Sequence, residues 1–151
     1  MSLILDTEAF LDTVCDLLNQ GQTDVAIPVA GGSMVPFLHH GDTVCLNLLD
    51  TPPRRGDVVL YRRESGRYIL HRISRMNRDG SVIMVGDAQQ ELELLPSRDM
   101  ICARVTSAWH QGKLCRPGQL RWWFYARVWL RLRPVRHFLM RLRGKKAIKM
   151  K

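Results

Sequence analysis

A serine behind two glycines is the residue of this sequence whose setting best suits nucleophilic chemistry. Ser33 stands in GGSMVPFL, residues 31–38, where the glycines permit positive φ and Pro36 keeps Val35 out of helical backbone. A serine hydroxyl attacks near neutral pH only when a neighbouring base removes its proton. The stretch therefore predicts a constrained turn that requires a base from elsewhere in the chain. A tight loop joining two strands is the alternative on local chemistry alone.

The candidate bases are histidines, because residues 1–115 contain a single lysine near their end. His71 lies in RYILHRIS between apolar neighbours of a predicted strand, an unusual position for an imidazole without a role. His39 and His40 closely follow Ser33, and we expect them to face solvent or to make a loop hydrogen bond. His71 is therefore the candidate base, and a structural strand histidine is the alternative.

Length and composition predict one globular unit. The chain has 151 residues, of which 46% are hydrophobic and 25% charged, which suits a folded core. Its four cysteines form no C-x-x-C pair, so we expect reduced, partly buried thiols and no cysteine zinc site. The N-terminus lacks a basic segment before an apolar run, and no uncharged apolar stretch reaches about 18 residues. We expect no cofactor, no metal, no signal peptide and no transmembrane helix.

Charge is distributed unevenly between a near-neutral body and a basic tail. Residues 116–151 contain 12 Lys and Arg and no Asp or Glu, within a chain of formal net charge +9. Such a tail is expected to bind an anionic surface. We therefore predict a domain at 1–115 and a basic aromatic helical tail at 116–151.

Six short β-branched runs bounded by turn residues predict strands. A preceding amphipathic helix is predicted at 6–20, with Asp6 as N-cap and Gly21 as its end. Together they predict a mainly β (α+β) fold with a small antiparallel, partly barrel-like sheet. The six runs are DVAIPVA (24–30), DTVCLNL (42–48), GDVVLYRR (56–63), RYILHRIS (67–74), SVIMVG (81–86) and ICARVTSAW (101–109).

The tail repeats an apolar helical face on both sides of Pro134, which is expected to break or kink the helix. Tryptophans among arginines favour an interfacial helix on a membrane surface. The alternative is a helix packed on the sheet with a solvated basic edge. Nucleic acid is not the expected partner, because the large apolar residues exceed what phosphate contact requires.

Four segments, in order and spacing, resemble the conserved boxes of the signal peptidase I family. They are GGSMVPFLHHGDTV, RRGDVVLYRR, YILHRI and VIMVGDAQQ, and the resemblance covers roughly residues 24–108. Bacterial members of that family use a lysine base, whereas the archaeal and endoplasmic-reticulum type has histidine in an HR pair. This chain reads HR at His71, so it looks like the histidine type.

The resemblance implies a serine endopeptidase with Ser33 as nucleophile, His71 as general base and Asp87 as the acid of the third box. It also implies an oxyanion held by backbone N–H groups of the serine turn and an extended peptide or precursor-protein substrate, cut after small residues of a signal or leader peptide. Glu93 is an alternative acid for orienting His71, with Asp87 preferred. The family's threonine after proline is Phe37 here.

We expect no N-terminal membrane anchor of the kind that the family has, and we therefore expect peripheral binding to the cytoplasmic face of a membrane through the tail. Two other functions stay open. Self-cleaving repressors of the SOS response share the serine turn but use lysine where His71 stands, and Ala30-Gly31 is the small-residue pair next to Ser33. A non-catalytic membrane-surface module on a peptidase scaffold is the second, because a fold does not guarantee chemistry.

Overall fold

An antiparallel sheet of eight strands forms the centre of the protein in a computed structural model, which describes residues 3–149, with side chains for 7–136 and 138–142. The strand order is β1-β2-β7-β3-β4-β5-β6, and β8 pairs with β7. The sheet is open, with β1 and β6 at the ends of this order. The strands are β1 Val25–Pro28, β2 Thr43–Asn47, β3 Val58–Arg62, β4 Tyr68–Met76, β5 Val82–Val85, β6 Glu93–Leu95, β7 Ile101–His110 and β8 Lys113–Cys115.

The mainly β fold and all six predicted strands are confirmed. Two strands, β6 and β8, were not predicted. Each has only three residues, which is too short for an alternating pattern to stand out. Their pairing with β5 and β7 makes them strands.

The predicted N-terminal helix is present but begins earlier than expected. Helix α1 spans Leu3–Asn19, so Asp6 lies inside the helix and does not cap it. The end is as predicted: Gly21 has a φ of 97°, and its N–H donates to the carbonyl of Leu18. Leu18 and Val14 are buried against the sheet, which fixes the helix to the body.

The two faces of β3 pack into two separate apolar clusters. Val58 and Leu60 face the cluster that contains α1, whereas Val59 and Tyr61 face the other. This division follows from the alternation of side chains along a strand. Strand β3 is therefore buried on both sides and fixes β4, its antiparallel neighbour.

The first part of the tail packs on the body. Helix α2 (Leu120–Trp123) leads into a π-helical segment (Phe124–Trp129), and α3 spans Arg133–Lys149. Trp129 is buried, and Trp122 and Tyr125 pack against the α1 cluster. For these aromatic residues the packed-helix alternative is the one observed. The predicted interruption at Pro134 is confirmed, since α3 begins beside it.

The second part of the tail exposes an apolar helical face. Val135, Phe138, Leu139 and Leu142 of α3 are all exposed, and Phe138 presents 64% of its surface. Their spacing puts them on one side of the helix. No helix among residues 3–149 combines the length and apolarity needed to cross a membrane.

Gly56, two residues before β3, is a point of close contact with the π-helical segment. A Cβ on Gly56 would lie 2.5 Å from the carbonyl oxygen of Ala126, and the residue has a φ of 97°. Gly80 has a similar φ of 88° but no atom within 4 Å of such a Cβ. A methyl group at residue 56 would therefore clash with the backbone of Ala126, whereas one at residue 80 would meet open space.

We expect Gly56→Ala to destabilise the protein far more than Gly80→Ala. Positive φ alone costs alanine about 1–2 kcal/mol, and overpacking adds about 1–3 kcal/mol. Gly56→Ala should therefore lose about 3 kcal/mol and Gly80→Ala about 1 kcal/mol of unfolding free energy in urea titrations. Equal losses would show that the π-helical segment does not rest on Gly56.

Candidate active site

The Ser33 turn is held against the turn that follows β5. The carbonyl of Ser33 accepts a hydrogen bond from the N–H of Ala88 at 2.9 Å. A Cβ on Gly86 would lie 2.6 Å from that same carbonyl oxygen, so glycine is required for this approach. Met34 is buried beneath the turn, which leaves the half-buried Ser33 at its surface.

Ser33 and His71 line the same cleft, which has a volume of about 850 Å³. Helix α1 supplies Phe10 to one wall, and β1 supplies Ile27. Gln89 adds a polar group next to the serine turn. The sequence placed these two groups 38 positions apart, and the fold brings both to one concave surface.

His71 belongs to a chain of polar side chains that ends in an ion pair. Its Nδ1 lies 3.4 Å from the hydroxyl oxygen of Tyr61. Tyr61 donates to Glu93 at 2.5 Å, and Arg63 donates to both oxygens of Glu93, at 2.6 and 3.0 Å. Glu93 therefore reaches His71 through Tyr61.

Burial keeps His71 neutral. The imidazole is only 7% exposed, and desolvation lowers its pKa from the usual 6.5, while the charge of Glu93 opposes part of this shift. Burial alone would raise the pKa of Glu93, but hydrogen bonds from Arg63 and Tyr61 outweigh it and lower that pKa. At neutral pH the cluster thus holds an uncharged imidazole and an ionised carboxylate.

The direction of the Tyr61 hydrogen bond sets the tautomer of His71. Tyr61 gives its proton to Glu93, so its oxygen can only accept from the Nδ1–H of His71. The lone pair then lies on Nε2. An imidazole with a lone pair on Nε2 can take a proton from a hydroxyl.

Asp87 has partners other than the one expected from the sequence. Its two carboxylate oxygens accept from Arg72 at 2.8 and 2.7 Å, and both side chains are almost completely buried. Arg72 also donates to the carbonyl of Gly56 at 2.7 Å. Asp87 as the orienting acid stays a prediction; both of its oxygens accept from Arg72, whereas Glu93 reaches His71 through Tyr61.

Phe37, where the resemblance led us to expect threonine, packs against the same arginine. The Arg72 guanidinium lies 4.9 Å from the centre of the Phe37 ring. Tyr125 and Trp122 of the tail contact the other parts of that ring, at 5.1 and 5.5 Å between centroids. Phe37 thus joins the serine turn to the tail.

Backbone donors at the serine turn are free to bind an anion. The N–H of Gly31 donates to Nδ1 of His40, and that of Val35 to the carbonyl of Gly32. The intervening N–H groups, those of residues 32–34, have no acceptor within the part of the chain that the structure describes. Such donors suit a developing oxyanion.

Tyr61 and Arg63 were not predicted as members of this site. Cross-strand pairing would have indicated Tyr61: β3 runs antiparallel to β4 with Val59 opposite His71, which places Tyr61 on the same face, diagonally adjacent. No local pattern pointed to Arg63.

Comparison with known proteins identifies the family to which the fold belongs. A family model described as Peptidase S24-like matches residues 3–106, more than half of the chain. The chain belongs to the Peptidase S24-like family. Searches of the curated proteins and of the solved structures each found no match.

Membership of the Peptidase S24-like family indicates a serine-peptidase scaffold, which repressor-type peptidases also use. The expected resemblance is confirmed at the level of the wider S24/S26 peptidase-like superfamily. The narrower assignment to the histidine type of signal peptidase I is not confirmed by this match. Ser33, His71 and Asp87 all lie within the matched residues.

We expect Asp87→Asn to destabilise the protein by about 3–5 kcal/mol, because it leaves Arg72 charged and buried without its counter-ion. Asp50→Asn is the matched control: Asp50 pairs with Arg104 at 3.3 Å but is 86% exposed, and exposed pairs contribute little. Urea unfolding of both variants measures the difference. Equal, small losses would contradict a structural role for the buried pair.

Proposed function

We propose that this protein is a serine endopeptidase in which Ser33 is the nucleophile and His71 the general base. The observation that carries the proposal is that both line one cleft, with His71 buried and neutral. The Peptidase S24-like match supports the reaction class. Asp87 acts on the structure of the site through Arg72.

In the proposed reaction, Oγ of Ser33 bonds to the carbonyl carbon of the peptide as its proton moves to Nε2 of His71. Backbone N–H groups of residues 32–34 stabilise the oxyanion. The C–N bond then breaks, and His71 returns the proton to the leaving amine. Water, activated by the same imidazole, releases the acyl group from Ser33.

Tyr61 is the proposed positioning residue. Its bond to Glu93 fixes the hydroxyl, and the hydroxyl in turn holds Nδ1 of His71. Arg63 keeps Glu93 ionised, which stabilises an imidazolium during the reaction. Glu93 thus orients His71 through Tyr61, whereas in other serine peptidases the acid bonds directly to the histidine.

We propose an extended peptide as substrate. Strand β1 is the last strand on its side of the sheet, and β4 pairs with β5 only from Arg72 onward. Unpaired strand edges at a cleft favour a substrate that adds as a strand. Cleavage after small residues, as in signal or leader peptides, is part of the proposal and depends on the family resemblance.

Self-cleavage is the second candidate, favoured by the family match to a scaffold that repressor-type peptidases use. Ala30 and Gly31 line the cleft with Ser33. However, this bond lies only two residues before the nucleophile on the same turn, so intramolecular attack requires the turn to open. Cleavage of one copy by another is not limited in this way.

We also propose that the exposed face of α3 rests on an anionic membrane surface. Four large apolar side chains share that face, and residues 116–151 have no acidic residue to repel anionic lipid. Apolar burial and basic charge together bind amphipathic helices to such surfaces. The packed residues up to Arg136 would then hold the peptidase cleft at a fixed distance from the lipid.

We expect Ser33→Ala to lower cleavage of extended peptides with Ala or Gly before the scissile bond by at least about 1,000-fold. Mass spectrometry of a peptide library measures it, and the intact mass of the protein over time reports self-cleavage. Ser65→Ala, in the exposed turn between β3 and β4, is the matched control and should retain full activity.

The pH profile of the same cleavage identifies the base. Because His71 has a lowered pKa, its base form persists down to about pH 6.5, and the rate should fall only below that pH. Circular dichroism at each pH separates titration from unfolding. Equal rates in Ser33→Ala and wild type, or a rate that rises only above about pH 9, as expected for lysine, would contradict the proposed dyad.

We expect the double variant Phe138→Ser/Leu142→Ser to bind vesicles of mixed phosphatidylglycerol and phosphatidylcholine at least about tenfold more weakly than wild type, because two exposed apolar side chains are lost. Sedimentation with vesicles measures binding. Leu92→Ser/Leu94→Ser removes two other exposed leucines and should bind normally. Normal binding by the α3 variant, or none by wild type, would contradict this docking surface.

A further inference from the structure

Three potential metal ligands meet where β2 begins and β7 ends. Nδ1 of His110 lies 2.6 Å from one oxygen of Asp42, and Nδ1 of His39 lies 3.9 Å from the other. One ligand atom from each residue can be chosen so that all lie within 4.8 Å of one another. The two imidazole rings are tilted towards each other with their centres 4.9 Å apart.

Asp42 is held rigidly between the two histidines. Its side chain is only 6% exposed, and the backbone N–H of His39 donates to its Oδ2 at 2.8 Å. The N–H of Asp42 donates back to the carbonyl of His39, and its own carbonyl accepts from Val29. The carboxylate therefore has a fixed position, while both imidazoles reach it from partly exposed sites.

Nδ1 of His39 is a buried nitrogen without a hydrogen-bond partner among the described residues. A buried polar atom left in this state costs free energy, so such atoms usually have a partner or a ligand. The Asp42 oxygen at 3.9 Å is too distant for a hydrogen bond. A cation bound between these groups would give Nδ1 of His39 a partner, and Asp42 and His110 would supply the other two ligands.

We propose that His39, Asp42 and His110 bind a divalent transition-metal ion, Zn²⁺ in the first instance. Two imidazole nitrogens and a carboxylate oxygen are ligands that Zn²⁺ accepts at about 2.0–2.2 Å, with water completing a tetrahedron. Mg²⁺ and Ca²⁺ prefer oxygen-only sites, so imidazoles select against them. Binding requires the ring of His39 to move closer to the carboxylate of Asp42, and the ring of His110 to turn slightly away from it.

The ion joins two parts of the chain that meet only through folding. His110 ends β7, whereas His39 and Asp42 belong to the turn that runs from Ser33 into β2. None of the three ligands lines the cleft of Ser33 and His71. The bound metal therefore stabilises the serine turn and the β2–β7 pair and takes no part in peptide chemistry.

The test is Zn²⁺ binding to the untagged, EDTA-stripped full chain, measured by competition with a chromophoric chelator. We expect one Zn²⁺ per chain and a rise in the thermal unfolding midpoint that Mg²⁺ does not reproduce. His39→Ala and His110→Ala should each weaken binding at least about tenfold, the loss that even an outer-shell change commonly causes. The matched control is His40→Asn, whose side-chain oxygen can still accept from Gly31, and it should bind Zn²⁺ as wild type does.

Co²⁺ in place of Zn²⁺ separates this site from the cysteines. Histidine and carboxylate ligands give only d–d bands, whereas a cysteine ligand adds a thiolate-to-cobalt charge-transfer band. Three outcomes overturn the proposal: no saturable binding at about 100 µM free Zn²⁺, where a micromolar site is filled; unchanged binding in His39→Ala/His110→Ala; or a thiolate band. Circular dichroism of each variant without metal confirms that lost binding is not lost folding.

Discussion

Arg72 and Asp87 are only 1% and 0% exposed, and their ion pair is the constraint around which the other contacts of the site are arranged. Withdrawing two charges from water is favourable only when their remaining hydrogen-bonding groups are satisfied. The carbonyl of Gly56 accepts from Arg72, and the carbonyl of Asp87 accepts from Trp129 and Arg136. Two of the three Gly-Asp pairs of the sequence, Gly56-Asp57 and Gly86-Asp87, therefore meet at one point beneath the serine turn, and the tail covers it.

His71 and Arg72 are consecutive on β4, so their side chains point to opposite faces of the sheet. Alternation along the strand could be predicted from the sequence, and so could the Ser33 turn. What could not be predicted was which of the two residues Asp87 would meet, because this depends on the β4–β5 register, which shifts between Ile73 and Arg75. Glu93 was foreseen only as an alternative, since its route to His71 runs through the β3 residue Tyr61.

For the tail, too, the sequence pattern does not determine which surface the residues contact. An apolar helical face with aromatic and basic residues is compatible with lipid and with a sheet surface alike. Gly56, which has no side chain, and the ring of Phe37 create the surface on which the segment around Tyr125 packs. For this segment they therefore favour packing on the protein over binding to lipid. Neither feature is near the tail in sequence. Among the side chains that the structure describes beyond Arg136, the apolar ones of Phe138, Leu139 and Leu142 are exposed, and there the sequence pattern remains the guide.

The family match ends at residue 106, yet the folded unit that positions the candidate site extends further. Trp129 and Arg136 complete the surroundings of the buried pair from outside the matched residues. Burial lowers the pKa of Arg136, and its guanidinium lies 5.7 Å from the ring of Trp129, so a cation is held over an aromatic face close to a second buried arginine. Removing the whole tail would expose this charge cluster and the base of the serine turn. Changes confined to the exposed face of α3 are therefore the ones that test the proposed membrane binding without disturbing the fold.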